Sequence, residues 1–355
     1  MTKIFLIRHA EAEGNIFRRA HGQFNGLIIG RGFAQIEQLK ERFLHEKIDA
    51  VYSSDLSRTK ATAAAISETH GLNINETKDL REVGIGEWED AAWGDLNYKY
   101  PKMAEYFGHD PVRWNTAGSE EYSHVQERMR NCLGDIGRRH DGGSVAVFSH
   151  GFAIRALLCK LKGVPSHKTD LIPYCDNTAV TLLRVDNEEF TIEYEGDNSH
   201  LKNDMSTFAK QTWWRDRKER KSEDLRYEPY NDSFAEELYG PHYLDGYPSQ
   251  VADIKLTAFL DDMPAGMLGL DTGRESNDNI GWISQIYIRP ELRRMYYGVQ
   301  LLGQAVSVYR KLCRESVRLE TAVDSPAMSF CANYGFSKIN ESGELCVMGK
   351  KIRNW

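Results

Sequence analysis

The chain has 355 residues, 41% hydrophobic and 27% charged, with 10 prolines and 29 glycines. That length suits two domains of roughly 150 residues each, and the composition excludes a collagenous, disordered or low-complexity chain. The formal charge is −7 and neither half is basic, which argues against a nucleic-acid-binding domain.

No apolar run approaches the roughly 18 residues of a transmembrane helix. The start, Met1 to Asn15, meets a charge and a histidine after a short apolar run. It reads as a strand and lacks the apolar length and cleavage region of a signal peptide. The six cysteines, Cys132, Cys159, Cys175, Cys313, Cys331 and Cys346, are scattered. None has CxxC spacing or a histidine at zinc-ligand spacing, so neither a disulfide framework nor a metal site is expected. Free thiols without export signals predict a cytoplasmic location and no membrane partner.

In chain order, Ile4–Ile7 reads as a buried strand and Phe33–Glu46 as an amphipathic helix. A short strand, Ala50–Tyr52, precedes a helix over Leu56–His70. Tyr122–Arg139 repeats the helical spacing, and Val145–Phe148 and Val180–Val185 read as two more buried strands. Strands alternating with helices predict a parallel α/β sheet covered on both faces. From Asn198 to Arg226 no strand pattern appears, and the charge-dense run RDRKERKSED predicts a linker with the boundary near 206–222 and Trp213-Trp214 docked on one domain. This divides the chain into 1–205, a charged linker 206–222, and 223–355.

The second half opens with strands Ile254–Leu260 and Ala265–Leu270 around a turn at Asp261–Pro264. Strand Gly281–Ile288, helix Tyr297–Arg314, strand Val317–Ala322, helix Pro326–Tyr334 and a last strand pair turning at Gly343 follow. The mixture predicts an α+β domain.

Two strands of the first half end in the same chemistry. Ile4–Ile7 runs into Arg8-His9, and Val145–Phe148 runs into Ser149-His150-Gly151. Parallel strands present their C-termini at one sheet edge, where ligands bind. Arg58 follows the strand-like Ala50–Tyr52. Two guanidiniums and two imidazoles suit a dianionic phosphoryl group, because guanidinium forks match phosphate oxygens.

Leu6 to Asn15, with Arg8-His9 at its head, resembles the signature of the histidine phosphatase superfamily, the phosphoglycerate mutase-like group. Ser53-Ser54-x-Leu56-x-Arg58, Leu80-x-Glu82-x-x-x-Gly86-x-Trp88-Glu89, Gly118-x-Glu120 and Ser149-His150-Gly151 follow in the family's order over residues 1–200. The resemblance implies a doubly wound sheet with helices on both faces. It also implies His9 as nucleophile, Arg8, Arg58 and His150 as phosphoryl-holding catalytic residues, Asn15 as a further phosphoryl ligand, and Glu82 as proton donor. Glu87 and Glu89 are rival acids. Ala10 and Ala12 replace the usual Gly and Thr, and Asn25-Gly-Leu-Ile-Ile replaces the usual Asp-x-Pro-Leu-Thr near the mouth. The segment after Glu82 resembles the family's phosphatases rather than its mutases, so hydrolysis of a small phosphorylated substrate is favoured over transfer between phosphoglycerates. No metal is required.

Strand Ile283–Ile288, Arg289–Leu292 and Arg293-Arg294-Met295-Tyr296-Tyr297-Gly298-Val299 resemble the acetyl-CoA loop of GNAT-type N-acetyltransferases. Leu319 to Phe336 is similar to that family's second signature. Over 223–355 this implies acetyl-CoA as cofactor and an amine acceptor. Ile286, Ile288, Arg293, Arg294, Met295, Tyr296, Tyr297, Gly298 and Val299 are then the cofactor-binding positions. Tyr296 stands where the family has the first loop glycine, which requires a negative φ there or a remodelled loop. Cys331 stands at the position of the tyrosine that protonates the departing thiolate. It is either that acid or a small apolar packing residue. No general base is identifiable. A module that binds acetyl-CoA as a sensor, or binds a partner, is the alternative. The oligomeric state stays open.

Overall fold

A computed structural model describes residues 1–186, 188–202, 204–209, 223–240 and 251–353. Trp213-Trp214 and most of the charged stretch, 210–222, lie outside the described residues. The chain forms two compact units. The first takes in Met1–Glu13, Ala20–Glu89 and the described residues of 99–221. The second takes in Gly14–Arg19, Asp90–Tyr98 and the described residues of 222–355.

The first unit is built on β1 (Thr2–Arg8), β2 (Ala50–Ser54), β3 (Ile74–Thr77), β4 (Ser144–Ser149), β5 (Val180–Asp186) and β6 (Glu189–Asp197). Their order across the sheet is β3-β2-β4-β1-β5-β6. β1, β2, β3 and β4 run parallel, so Arg8, Ser54 and Ser149 end on one edge. The sheet is mixed rather than wholly parallel, because β5 and β6 run antiparallel. Val180–Val185 is mostly apolar, interrupted by Thr181 and Arg184, and direction is not encoded in such a segment. β6 alternates exposed and half-buried residues along a polar sequence, which hides it from a search for buried strands.

Helices Gly30–Phe43, Ser57–His70, Tyr122–Arg139 and Gly151–Leu161 accompany the sheet. Leu39 and Phe43 of the first and Ile66 of the second pack with Ile7, Val51 and Phe148 in one core cluster. Helix Ser57–His70 lacks a cap from its own N-cap residue Leu56. The side chain of Asn25 supplies it, accepting the Ser57 N–H at 2.7 Å. The altered loop at 25–29 thus has a structural duty at the start of the helix that carries Arg58.

The second unit contains a seven-stranded sheet in the order β12-β13-β11-β10-β9-β8-β7. Its strands are β7 (Arg226–Pro229), β8 (Ile254–Leu260), β9 (Met263–Asp271), β10 (Ile280–Ile288), β11 (Ser316–Ala322), β12 (Ser337–Ser342) and β13 (Leu345–Lys351). The turn between β8 and β9 is tighter than Asp261–Pro264: Asp261 adopts φ 54°, and Met263 already belongs to β9. Helix Tyr297–Lys311 packs on β9 and β10. Its Tyr309 hydroxyl donates to the Trp282 carbonyl at 2.5 Å, and the ring fits because residue 281 is glycine. Within this unit Arg19 donates to Asp90 at 2.8 Å, to Gln304 at 2.7 Å and to Ser307 at 2.8 Å.

Candidate active site

Arg8 closes β1 and His9 follows it. The His9 N–H donates to the Ser149 carbonyl at 3.0 Å, and the Thr178 N–H donates to the Arg8 carbonyl at 3.1 Å. The backbone at Arg8 and His9 is therefore pinned from β4 and from the segment before β5. His9 Nδ1 lies 2.7 Å from the Ala10 carbonyl oxygen. A carbonyl can only accept, so Nδ1 carries the proton and Nε2 keeps its lone pair. Burial holds this imidazole well below the usual histidine range, and the charges of Arg58 and Arg8 push the same way.

His150 lies beside it, the ring centroids 5.2 Å apart. Its Nε2 meets Ser54 Oγ at 3.0 Å, and its buried Nδ1 has no hydrogen-bond partner among the described residues. Burial, then Arg58 and His9, lower its pKa as well. Arg58 is 2% exposed and its guanidinium donates to the carbonyls of Phe24 at 2.8 Å and Gly22 at 2.7 Å. Burial lowers even this pKa to about 10. Arg8 donates to the Cys175 carbonyl at 2.6 Å and leaves its buried Nε unpartnered among the described residues.

Glu82 sits at the start of helix Gly151–Leu161. Its carboxylate accepts from the Phe152 N–H at 3.0 Å and the Ala153 N–H at 2.8 Å. Burial raises its pKa, outweighing these amides and the nearby Arg58 charge, each of which lowers it. The two rivals are differently employed. Glu87 is exposed. Glu89 accepts the N–H groups of Gln23 at 2.7 Å and Phe24 at 2.8 Å, so it fixes the loop whose carbonyls hold Arg58.

Arg8, His9, Arg58, Glu82 and His150 thus fall within one unit. Electrostatic influence links Arg58 to the other four. Asn15 lies on the short helix Glu13–Phe17, in the stretch grouped with the second unit. Residues without a sequence signal also serve the site. Asn177 donates from Nδ2 to the His9 carbonyl at 2.9 Å. Arg128 holds the loop at Glu82, donating to the carbonyls of Arg81 at 2.7 Å and Glu82 at 3.1 Å while paired with Glu120 at 2.7 Å. Glu120 of the Gly118-x-Glu120 landmark is therefore a support for that loop. Among the described residues no group of three or more His, Cys, Asp or Glu is arranged to hold a metal ion.

In the second unit, β10 and β11 pair in parallel from Ile280–Ser316 to Ile283–Leu319. Beyond Ile283 the register of β10 continues with β9, and beyond Leu319 that of β11 continues with β13. The two strands part there, and among the described residues no strand is registered with Ser284–Ile288 on the β11 side. The loop that follows enters helix Tyr297–Lys311, whose first N–H groups have no partner inside the helix.

Tyr296 keeps the left-handed backbone of a glycine, φ 65°, and Arg294 does the same at φ 64°. The negative φ considered for Tyr296 is therefore not adopted. Arg293, Arg294, Met295 and Tyr296 are exposed, whereas Tyr297 and Val299 bury their side chains and can offer a ligand only backbone. A Cβ on Gly298 would come 3.3 Å from the Phe330 ring, so close packing there is a second reason for glycine. Cys331 is 3% exposed, and burial pushes its thiol up to about 11. An unperturbed thiol, at about 8.5, is a stronger acid than a tyrosine at about 10; at about 11 Cys331 is the weaker.

The chain matches the histidine phosphatase superfamily (branch 1) over residues 4–198, and the acetyltransferase (GNAT) family over 211–336. It belongs to the histidine phosphatase superfamily and carries a GNAT domain in its C-terminal part. It is 30% identical over 186 residues to phosphoserine phosphatase 1 of Hydrogenobacter thermophilus, covering 52% of this chain and 88% of the relative. It is 26% identical over 208 residues to the probable phosphoglycerate mutase GpmB of Serratia proteamaculans, covering 57% and 95%. Among solved structures, YhfR of Bacillus stearothermophilus superposes with a TM-score of 0.54 at 28% identity, covering 56% of this chain and 99% of that one. No helix among the described residues is long and apolar enough to cross a membrane.

Proposed function

We propose that the first unit hydrolyses small phosphomonoesters through a phosphohistidine at His9. The observation that carries this is the His9–Ala10 contact, which leaves Nε2 as an unprotonated nucleophile under the influence of the Arg58 and Arg8 charges. Nε2 attacks phosphorus as the bond to the ester oxygen breaks, and the Glu82 proton passes to that oxygen. Arg8 and Arg58 balance the charge on the equatorial oxygens, and neutral His150 hydrogen-bonds to them. Water then attacks phosphorus, gives its proton to Glu82, and the phosphorus–nitrogen bond breaks to free phosphate and His9. The elevated pKa of Glu82 suits both halves of this cycle. The two relatives described above are named for a phosphatase and a mutase, so phosphoserine and 3-phosphoglycerate are the first substrates to try. Rapid quench with a labelled substrate should trap an acid-labile, base-stable phosphoenzyme in wild type and none in His9→Ala. Full phosphate release by His9→Ala would remove the covalent route.

For the second unit we propose binding of acetyl-CoA and acetyl transfer to an amine. When bound, acetyl-CoA supplies a thioester carbon for direct attack by the amine. Ile286 and Ile288 of β10 would meet the extended arm, and Arg293 to Val299 would hold the diphosphate, with Tyr297 and Val299 acting through backbone. A second reading, in which this unit senses acetyl-CoA without transferring acetyl, is favoured by the burial and weak acidity of Cys331. The proton-donor assignment to Cys331 is the part to test. Calorimetry with acetyl-CoA and coenzyme A release across an amine panel separate the readings: transfer requires both signals, sensing only the first. Cys331→Ala should leave both unaltered, and loss of turnover alone would restore the thiol as the acid.

A further inference from the structure

The matched phosphatase stretch ends at residue 198, yet three consecutive side chains beyond it reach residues around His9. Ser206 donates to Asp176 Oδ2 at 2.6 Å. Asp176 in turn accepts the Asn177 N–H at 2.8 Å, and Asn177 donates to the His9 carbonyl. Thr207, fully buried, donates to Glu11 Oε2 at 2.9 Å. Glu11 lies two residues after the nucleophile, is itself fully buried, and is paired with Arg31. The Phe208 ring lies with its centroid 5.7 Å from the Arg8 guanidinium carbon.

Gln35 ties these contacts together. Its Oε1 accepts the Glu11 N–H at 2.8 Å, while Nε2 donates to the Met205 carbonyl at 2.8 Å and Thr207 Oγ1 at 3.1 Å. The backbone carrying Arg8 and His9 is thus gripped from one side through Asp176 and Asn177, and from the other through Glu11 and Gln35. A tail that merely covered apolar surface would need no such polar partners. Buried hydroxyls aimed at carboxylates fix a geometry, because each is costly if left unpaired.

We propose that Ser206–Phe208 is a positioning element of the phosphoryl site. Thr207 and Ser206 fix the path of the loop after β1, and the Phe208 ring, facing the Arg8 cation, sets the direction of its guanidinium. Phosphoryl affinity then depends on residues that the family's own stretch does not contain. The inference rests on the phosphatase reading for its catalytic consequence, but its binding consequence stands apart from turnover.

The test uses the full chain, with p-nitrophenyl phosphate for turnover and orthovanadate for binding by calorimetry. Phe208→Ala should raise KM and the orthovanadate Kd about tenfold, the equivalent of about 1.4 kcal/mol, while kcat changes less. Phe208→Tyr, which keeps the ring, should match wild type. Thr207→Val should weaken orthovanadate to a smaller degree. Phe208→Leu keeps most of the bulk and serves if the alanine variant fails to fold. Folded Phe208→Leu or Phe208→Ala protein with wild-type orthovanadate affinity overturns the proposal, as does wild type that binds no orthovanadate. Binding that weakens as expected in a wild type without phosphatase turnover would sink the phosphatase reading and leave this one standing.

Discussion

Gly151 lies against the guanidinium of Arg8: a Cβ at residue 151 would come 3.1 Å from Arg8 Nε and 3.3 Å from Cζ. The glycine of Ser149-His150-Gly151 is therefore needed for space beside the arginine, since its φ is not left-handed. Alanine is intrinsically better than glycine in a helix by up to about 1 kcal/mol. Gly151→Ala should accordingly leave thermal stability unchanged or slightly raised. It should lower kcat/KM for p-nitrophenyl phosphate about tenfold by displacing Arg8, a cost of about 1.4 kcal/mol. Steady-state kinetics beside a melting curve checks both signs; wild-type kcat/KM would show that Arg8 moves without consequence.

The proton on Glu82 should govern the basic limb of the rate profile. Because burial raises its pKa, the acid form persists to higher pH than an ordinary carboxyl allows. For an alkyl phosphate, kcat should fall as pH rises through that value. For p-nitrophenyl phosphate, whose leaving group needs little proton assistance, the limb should be shallow. Glu82→Gln should abolish the limb and slow the alkyl ester more than the aryl ester. Equal losses for both esters would transfer the role to Glu89.

His9 and His150 make a stability prediction of their own. Both folded-state pKa values lie below the unfolded value near 6.5. Groups of this kind contribute stability that is present above about pH 6.5 and lost as pH falls toward the folded values, at up to about 1.4 kcal/mol per pH unit each. Glu82 has the opposite sign: its raised pKa favours folding below the ordinary carboxyl range near 4.3 and loses that contribution as pH rises. Between pH 6.5 and 5 the histidines dominate, so the melting temperature should drop with acidification. His9→Gln should flatten that drop. Parallel pH dependences in mutant and wild type would contradict the neutral, buried assignment.

Tyr296 carries a left-handed φ of 65° in the loop before helix Tyr297–Lys311. A non-glycine residue there costs about 1–2 kcal/mol, and asparagine tolerates the conformation better than most. Tyr296→Asn should raise the melting temperature, and Tyr296→Val, with its branched Cβ, should lower it. The order Asn above Tyr above Val is the checkable result. If valine proves the most stable, the backbone has left that conformation.

The site chemistry is legible in the sequence where a strand end and a reactive side chain adjoin. Arg8-His9 and Ser149-His150-Gly151 follow apolar runs long enough to be recognised, and the parallel pairing of β1 with β4 brings them to one edge. Supports are not legible, because their partners are distant: Asn177 meets His9 and Thr207 meets Glu11 only after the chain has folded. Direction is also invisible, which is why β5 reads like its parallel neighbours. At Tyr296 the residue type argues against the backbone that the fold imposes. Cys331 shows the remaining gap, since an unperturbed thiol pKa says nothing about the burial that raises it.

Besides the adjacent Val83 N–H at 3.1 Å, the carboxylate of Glu82 is read continuously by two amide protons of the helix, those of Phe152 and Ala153, at 3.0 and 2.8 Å. Protonation weakens both bonds at once, so the two backbone resonances should shift together with the occupancy of that single acid. Isotope labelling at these positions would turn the helix start into a spectroscopic gauge of the proton, free of any substrate. Phe152 is also stacked on Phe107 at 4.9 Å between ring centroids. A substrate that disturbs the aromatic layer would therefore register on the same amide, and the gauge would separate leaving-group contact from proton transfer by which of its two signals moves.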